Sequence, residues 1–262
     1  MEQSKKDAIS NKNTNAIDIE NLDEMKFQRI KKCGKYGFSD ESGNLVIPCQ
    51  WEDASWFYEG LAWVQNENGR CGYIDKTGKV VIPCQWVNAG DFHDGLAYVN
   101  EYYHQFGFID KTGRVVIPCQ WEYVESFHDG LAKVKDPDGK YGFINKMGEV
   151  VIPCELGVVG SFRDGLAPIE GADETWGFID KSGKVVIPYR WKKITWFSEG
   201  LALVQDANGK YGYIDKTGKL VSQCQWEAAY NFEDGIAVVC DTNDKWFKLD
   251  KTGKVLGEWK WK

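Results

Sequence analysis

No stretch of the 262 residues is apolar over the length that a membrane span requires, and the polar first residues lack the apolar core of a signal peptide. These two absences predict a soluble protein of the cytoplasm with no membrane partner. We expect residues 1–24 to form a flexible tail, followed by one continuous domain over residues 25–262.

A surplus of positive charge is also missing. The formal net charge is −7 and the pI is near 5.2, whereas a surface that binds nucleic acid carries clustered basic residues. Lysines do recur in Asp-Lys-Thr-Gly-Lys segments, but each of them lies beside an aspartate, as is typical of solvated turns. The sequence therefore predicts no nucleic-acid partner.

Catalytic and metal-binding motifs are absent as well. The chain has no HExxH, no CxxC pair, no GxSxG and no phosphate-binding glycine loop. Of its three histidines, His93 and His128 share one position of the repeat described below, which holds Tyr, Arg, Ser or Glu elsewhere. The recurring aspartates lie in glycine turns, which explains them without catalysis. We predict that the protein is not an enzyme and binds no metal or cofactor.

The sequence also lacks the periodicity of helices. It has instead a strict repeat. The text that recurs is clearest in GYIDKTGKVVIPCQW, from Gly72 to Trp86. A fixed period means that one supersecondary unit is copied along the chain, so the fold depends on how the units stack. The glycines that mark the period of 35 residues are Gly37, Gly72, Gly107, Gly142, Gly177 and Gly212.

Each unit contains four short segments rich in β-branched and aromatic residues, separated by Asp-Gly and Thr-Gly turn signals, as in a β-meander. In the unit that begins at Val87 we predict strand A at 91–92, strand B at 96–99, strand C at 107–110 and strand D at 114–118. Pro118 should end strand D, because proline cannot donate to a ladder. Gly107 indicates close approach of another backbone or a large ring, and an aromatic ring is the simple candidate.

Cysteine and tryptophan recur at fixed positions of the repeat. Equivalent positions lie one unit apart in space, which is too far for a disulfide or a shared metal ion. We predict that the cysteines are small apolar side chains in a reducing compartment and that the tryptophans are core between units. The recurring residues are Cys49, Cys84, Cys119, Cys154 and Cys224, and Trp51, Trp86, Trp121, Trp191, Trp226 and Trp261.

The two ends of the array look complementary. After the sixth repeat, WFKLDKTGKVLGEWKW supplies strands C and D, and MKFQRIKKCGKY before Gly37 is similar to strand B. If the ends meet, they complete a seventh unit, which is how propellers close. We predict an all-β fold of 35-residue β-meander repeats that forms a seven-unit β-propeller-like closed ring. An open β-hairpin solenoid is the alternative, because common propeller repeats are longer, about 40–50 residues.

The consensus KYGFIDKTGKVVIPCQW, followed by F-x-D/E-G-L-A-x-V, resembles the bacterial WG-repeat family, also called KWG repeats. The resemblance covers about residues 27–262, and Trp176-Gly177 keeps the Trp-Gly pair literally. It implies a β-rich repeat module found in many bacterial proteins, and it carries no catalytic residues to transfer to this chain.

Departures from the repeat are the candidates for function. One B–C loop holds two tyrosines and a histidine where other repeats have turn formers, and exposed aromatics in a loop on a rigid scaffold are typical recognition residues. Further candidates occupy one variable position in strand B and the position before the phenylalanine of strand A. The candidates are Tyr102, Tyr103 and His104 in the loop, Trp63 and Tyr98 in strand B, and Trp56 and Trp196 before strand A's phenylalanine.

Two hypotheses of function remain open. The first is a non-enzymatic interaction scaffold, monomeric on its own, that binds another protein through the end of the strands that bears the B–C loops. The second is a carbohydrate or cell-wall ligand binder that stacks sugar rings on the recurring tryptophans. Burial decides between them, because interior tryptophans offer no platform for a sugar.

Overall fold

The computed structural model describes residues 26–102 and 104–260, and the tail predicted at residues 1–24 lies outside this part. The described residues contain no helix and form seven antiparallel sheets, numbered 1 to 7 along the chain. None of them forms a helix of the length and apolarity that a membrane span requires.

Each sheet is a meander whose strands pair in chain order. Sheet 1 contains β1 (Gln28–Lys32), β2 (Lys35–Ser39) and β3 (Leu45–Trp51). Sheet 2 contains β4 (Asp53–Ala54), β5 (Leu61–Gln65), β6 (Cys71–Asp75) and β7 (Val80–Trp86). Sheet 3 contains β8 (Asn88–Ala89), β9 (Leu96–Tyr102), β10 (Gln105–Asp110) and β11 (Val115–Trp121). Sheet 4 contains β12 (Tyr123–Val124), β13 (Leu131–Lys135), β14 (Tyr141–Asn145) and β15 (Val150–Leu156).

The remaining sheets repeat this order. Sheet 5 contains β16 (Leu166–Glu170), β17 (Trp176–Asp180) and β18 (Val185–Trp191). Sheet 6 contains β19 (Lys193–Ile194), β20 (Leu201–Gln205), β21 (Tyr211–Asp215) and β22 (Leu220–Trp226). Sheet 7 contains β23 (Ala228–Ala229), β24 (Ile236–Cys240), β25 (Trp246–Asp250) and β26 (Val255–Glu258). The predicted all-β fold of meander repeats is confirmed, with strands A to D in that order in five sheets and strands B to D in sheets 1 and 5.

Strand A lies earlier in the unit than the sequence suggested. In sheet 3 it is Asn88–Ala89, whereas residues 91–92 were predicted. Phe92 leaves the sheet and packs against Tyr73 of the preceding sheet, with ring centroids 4.9 Å apart. Phe92 therefore packs between two sheets and takes no part in the hydrogen-bond ladder of its own sheet.

Strand D does not end at its proline. Pro83 lies inside β7 (Val80–Trp86), and the pairing with β6 shifts register around it. Strand D is the edge strand of its sheet, so a missing N–H on its open side costs no ladder bond. The bulge that results carries the chain on to Trp86.

This bulge explains the glycine that marks the repeat. A Cβ atom on Gly72 would lie 2.7 Å from the amide nitrogen of Cys84 and 2.7 Å from the carbonyl carbon of Pro83. The close neighbour is therefore the backbone of strand D. The prediction that an aromatic ring approaches this glycine is wrong. Only glycine lets the two strands approach so closely.

The core consists of six clusters of buried apolar residues, and each cluster lies between two consecutive sheets. At every such sheet interface an aromatic residue of strand C packs against the phenylalanine that follows strand A in the next sheet. The pairs are Phe38–Phe57, Tyr73–Phe92, Phe108–Phe127, Phe143–Phe162, Phe178–Phe197 and Tyr213–Phe232, with centroids 4.7 to 4.9 Å apart.

Within residues 26–102 and 104–260 the two ends of the array do not share a sheet. Strands β25 and β26 pair with β24 of their own unit, and β1 pairs with β2 at the other end. A seventh unit divided between the termini is therefore wrong, because each short meander pairs locally. Among the described residues no core cluster joins sheet 1 to sheet 7, so closure of the propeller-like array into a ring stays a prediction.

Candidate functional site

The end of the strands that carries the A–B corners and C–D turns is uniform and satisfies its own polar groups. In five sheets an acidic corner residue accepts the N–H of the corner glycine in the next sheet. We call this series the corner ladder. Its rungs are Glu59–Gly95 at 3.1 Å, Asp94–Gly130 at 3.1 Å, Asp129–Gly165 at 2.6 Å, Asp164–Gly200 at 3.2 Å and Glu199–Gly235 at 3.0 Å.

Lysines of the C–D turns complete the corner ladder. The ammonium group of Lys111 lies 3.1 Å from the carboxylate of Glu59, and that of Lys251 lies 2.8 Å from Glu199. The hydrogen bond from Lys251 is the largest effect that lowers the pKa of Glu199. The corner acids bind the corner amides and the turn lysines of the next sheet. This end of the described sheets therefore leaves few polar groups that a partner could bind.

The opposite end carries the B–C loops, most of which are closed by an aspartate or asparagine. In sheet 2 the Oδ1 atom of Asn66 accepts the N–H groups of Asn68 and Arg70, both at 3.0 Å. Gly69 supplies the left-handed backbone with a φ of 71°. Aspartate caps recur at Asp136, Asp206 and Asp241, and the left-handed positions of these loops are Gly139, Gly209 and Asp244.

The B–C loop of sheet 3, residues 101–105, is built differently. Glu101 stands where sheets 2, 4, 6 and 7 have a capping Asn or Asp, and strand β9 runs on to Tyr102. Tyr102 pairs with Gln105, so the hairpin extends further before it turns. His104 takes the left-handed position with a φ of 60°, where sheet 2 has Gly69. Sheets 5 and 7 also place non-glycine residues there, so the longer hairpin, and not this backbone conformation, sets the loop apart.

The third B–C loop presents its side chains to solvent. Tyr102 is 68% exposed, the most of any tyrosine in the described residues. Tyr103, the second candidate of this loop, lies outside the described residues. Two open hollows flank the hairpin. One, of about 350 Å³, is lined by Arg70, Gln85, Trp86, Glu101 and Tyr102, and the other, of about 400 Å³, by His104, Gln105, Gln120, Glu122 and Pro137.

Trp56 and Trp196 form a separate exposed pair. Their exposed fractions are 47% and 48%, and both follow strand A of their sheets. Each indole packs against a guanidinium group from an earlier sheet, Arg29 at 5.8 Å and Arg163 at 5.0 Å from the ring. Neither lines the two hollows beside Tyr102. The structure therefore does not bring them together with the third B–C loop.

Packing explains the variable position of strand B. Trp63 is half-buried beside Ser55, and Tyr98 lies over Gly90, where a Cβ atom would come within 2.2 Å of a ring carbon of the tyrosine. In sheet 4 the equivalent Lys133 makes an ion pair of 2.6 Å with Glu125. The residue types vary because each is matched to the residue that follows strand A. Tyr98 also lines a hollow of about 380 Å³.

The recurring tryptophans are interior. Trp51, Trp86, Trp121, Trp191 and Trp226 are each at most 9% exposed, and Trp261 lies outside the described residues. A sugar ring cannot stack on a buried indole, so carbohydrate binding on these residues loses its platform.

The cysteines form no disulfide with one another. All eight cysteines are free, and burial raises the pKa of the Cys84 and Cys119 thiols. The described part of the chain holds no group of three or more His, Cys, Asp or Glu side chains that could bind a metal ion.

The two histidines of the repeat are in contact. The ring centroids of His93 and His128 are 5.5 Å apart with the planes tilted by 45°, and the ring of Tyr58 lies 5.3 Å from that of His93. Burial, followed by Arg163, lowers the pKa of His128. The sequence placed both histidines in one solvated position but did not show that residues at this position touch from sheet to sheet. Their spacing of one period was the available signal.

Comparisons with known proteins identify the repeat. A family profile described as "WG containing repeat" matches six segments, residues 36–71, 72–102, 106–141, 141–170, 176–211 and 211–246. No curated protein sequence matches the chain.

Solved structures share the fold. A eukaryotic initiation factor is similar with a TM-score of 0.61 and 12% identity, over 90% of this chain and 73% of that one. The computationally designed Ika8 protein is similar with a TM-score of 0.51 and 13% identity, over 90% and 85%. The WD40 β-propeller domain of Doa1 gives a TM-score of 0.36 and 14% identity, over 81% and 83%. The chain is an all-β repeat protein whose successive sheets pack against one another.

Proposed function

This chain belongs to the WG-repeat family, and we propose that it is a non-enzymatic scaffold that binds another protein through the third B–C loop. The observation that carries the proposal is the hairpin of residues 101–105, which departs from the capped loops of its neighbours and exposes Tyr102 between two hollows. Large aromatic side chains held on a rigid scaffold are the usual anchors of protein interfaces.

The charge and chemistry of the chain support this reading over a catalytic one. The aspartates of the C–D turns are engaged by the turns themselves, as when Asp110 accepts from the hydroxyl and amide of Thr112 at 2.6 and 2.9 Å. The free cysteines support a reducing compartment, and we propose a cytoplasmic protein that is monomeric without its partner.

A photo-crosslinking amino acid at position 102 tests the proposal in the native cell. Position 207, three repeats further along, is an exposed residue of the B–C loop of sheet 6 and serves as the matched control. We expect a protein adduct from position 102 that is absent from position 207. Adducts common to both positions would contradict a specific contact at this loop.

Affinity measurement then tests the loop with the partner recovered in this way. We expect Tyr102→Ala combined with His104→Gly to weaken binding at least about tenfold, because loss of an interface anchor costs ~2 kcal/mol. The glycine keeps the left-handed turn, so the fold should be unaffected. Unchanged affinity in this variant would reject the third B–C loop as the contact.

A further inference from the structure

The corner acid of the last sheet, Asp234, continues the series of the corner ladder. In sheet 7 the corner residue Asp234 has the same left-handed backbone as the ladder acids, with a φ of 50°. The side chains of the five preceding acids meet a glycine amide or a turn lysine of the next sheet. Among the described residues no sheet follows sheet 7, and the exposed carboxylate of Asp234 has no such donor.

Sheet 1 does not have a turn lysine that could pair with Asp234. The position of the turn lysine, Lys111 in sheet 3, is occupied in sheet 1 by Glu41. Gly43 of the same turn has open space around it, whereas the equivalent Gly78 lies against Ile47 of the preceding sheet. Sheet 1 of this chain or of a second copy would therefore place a carboxylate opposite Asp234, and like charges repel.

A groove runs beside Asp234 on the outer face of sheet 7. Its volume is about 530 Å³, and its walls include Tyr230, Val238 and Trp259, with the ammonium group of Lys248 over the Trp259 ring at 4.5 Å. Glu233 and Asp234 also line the groove and are both exposed. The site thus combines aromatic and aliphatic walls with two carboxylates against one ammonium group, and this excess of negative charge suits the aliphatic stem and the charged end of a lysine or arginine.

From this arrangement we propose that the outer face of sheet 7 is a docking site for a basic β-turn of a different protein. The turn presents a lysine or arginine to Asp234 and Glu233 and a backbone N–H to Asp234, as the C–D turns and corners do within the chain. Charge complementarity favours this occupant. In each of the five rungs of the corner ladder, the corner acid accepts a hydrogen bond from a backbone N–H of the next sheet.

A cyclic peptide is the probe for this site. It carries the chain's own turn, YIDKTGKL from residues 213–220, closed into a hairpin by a terminal disulfide. Binding to the full chain is followed by NMR or tryptophan fluorescence. We expect saturable binding that weakens as salt is raised, because the contact is electrostatic. A peptide with both lysines replaced by glutamate should bind at least about tenfold more weakly.

Two matched protein variants locate the binding. Asp234→Asn should weaken the peptide at least about tenfold, whereas Asp164→Asn, which alters an acid already engaged by Gly200 and Lys216, should leave binding unchanged. Tyr102→Ala should also leave it unchanged, which separates this site from the third B–C loop. Three results would overturn the proposal: no binding at millimolar peptide, equal binding by Asp234→Asn, or self-association of the chain through this face.

Discussion

Sheet 4 and sheet 7 have the same order of strands but opposite outer faces. In sheet 4, Phe143 is fully buried against the next sheet. Three repeats later the equivalent residue is Lys248, which is half-buried and lies over the ring of Trp259 at 4.5 Å. A face that another sheet covers needs an apolar side chain, whereas an open face tolerates a charged one.

The glycine of the repeat also differs between these two sheets. Sheet 4 has Gly142 where sheet 7 has Phe247. In sheet 4 the bulged strand D crosses so closely that a Cβ atom would lie 2.6 Å from the carbonyl oxygen of Ile152. In sheet 7, Phe247 pairs directly with Glu258, and β26 is exposed along its length. The glycine therefore depends on the bulge of strand D within its own sheet.

The largest effect expected from this comparison is at the aromatic position. Phe143→Ala should lower the free energy of unfolding by about 3–5 kcal/mol, because it empties a buried site between two sheets. Lys248→Ala should cost about 0.5–1 kcal/mol, through its contact with Trp259. Urea denaturation of both variants measures the contrast. Similar losses at the two positions would mean that the outer face of sheet 7 is as covered as that of sheet 4.

A smaller effect is expected at the glycine of strand C. Gly72→Ala should cost about 1–3 kcal/mol, because the new methyl group meets the backbone of strand D and forces the two strands apart. Gly157→Ala is the control, since a Cβ atom there has no neighbour within 4 Å. The same denaturation experiment compares them. If Gly72→Ala were harmless, the close crossing of strands C and D would not be what reserves this position for glycine.

The sequence predicted the period, the meander and the turns because these depend on neighbours within about ten residues. The predicted position of strand A was wrong because Phe92 packs against Tyr73 of another sheet, and no local sequence pattern reveals that contact. The corner ladder was missed for the same reason, since Glu59 and Lys111 lie 52 residues apart. Of the candidate site, the exposed Tyr102 was predictable as a departure from the repeat. The packing role of Tyr98 was not, because it depends on Gly90 across the strand pair.

The smallest effect is expected at the C–D turns, where sheet 7 agrees with sheet 5, a sheet that another sheet covers. Asp180 accepts the hydroxyl of Ser182, and Asp250 of sheet 7 accepts that of Thr252, both at 2.6 Å. These hydroxyl groups are the main cause that lowers the pKa of each aspartate below 3.8. A lowered pKa in the folded state stabilises the protein above the unfolded value, and the stabilisation is lost as the pH falls through the folded value.

Asp180→Asn and Asp250→Asn should therefore lower the denaturation midpoint slightly at pH 7, and the difference from the parent protein should shrink as the pH falls below 3.8. Asparagine keeps the turn, as Asn145 shows by accepting the N–H of Met147 at 2.9 Å. Thermal melts across this pH range measure the effect, with an unchanged midpoint difference at all pH values counting against it. Equal behaviour of the two variants would show that the turns are set locally, in contrast to Phe143 and Lys248, whose roles depend on whether another sheet follows.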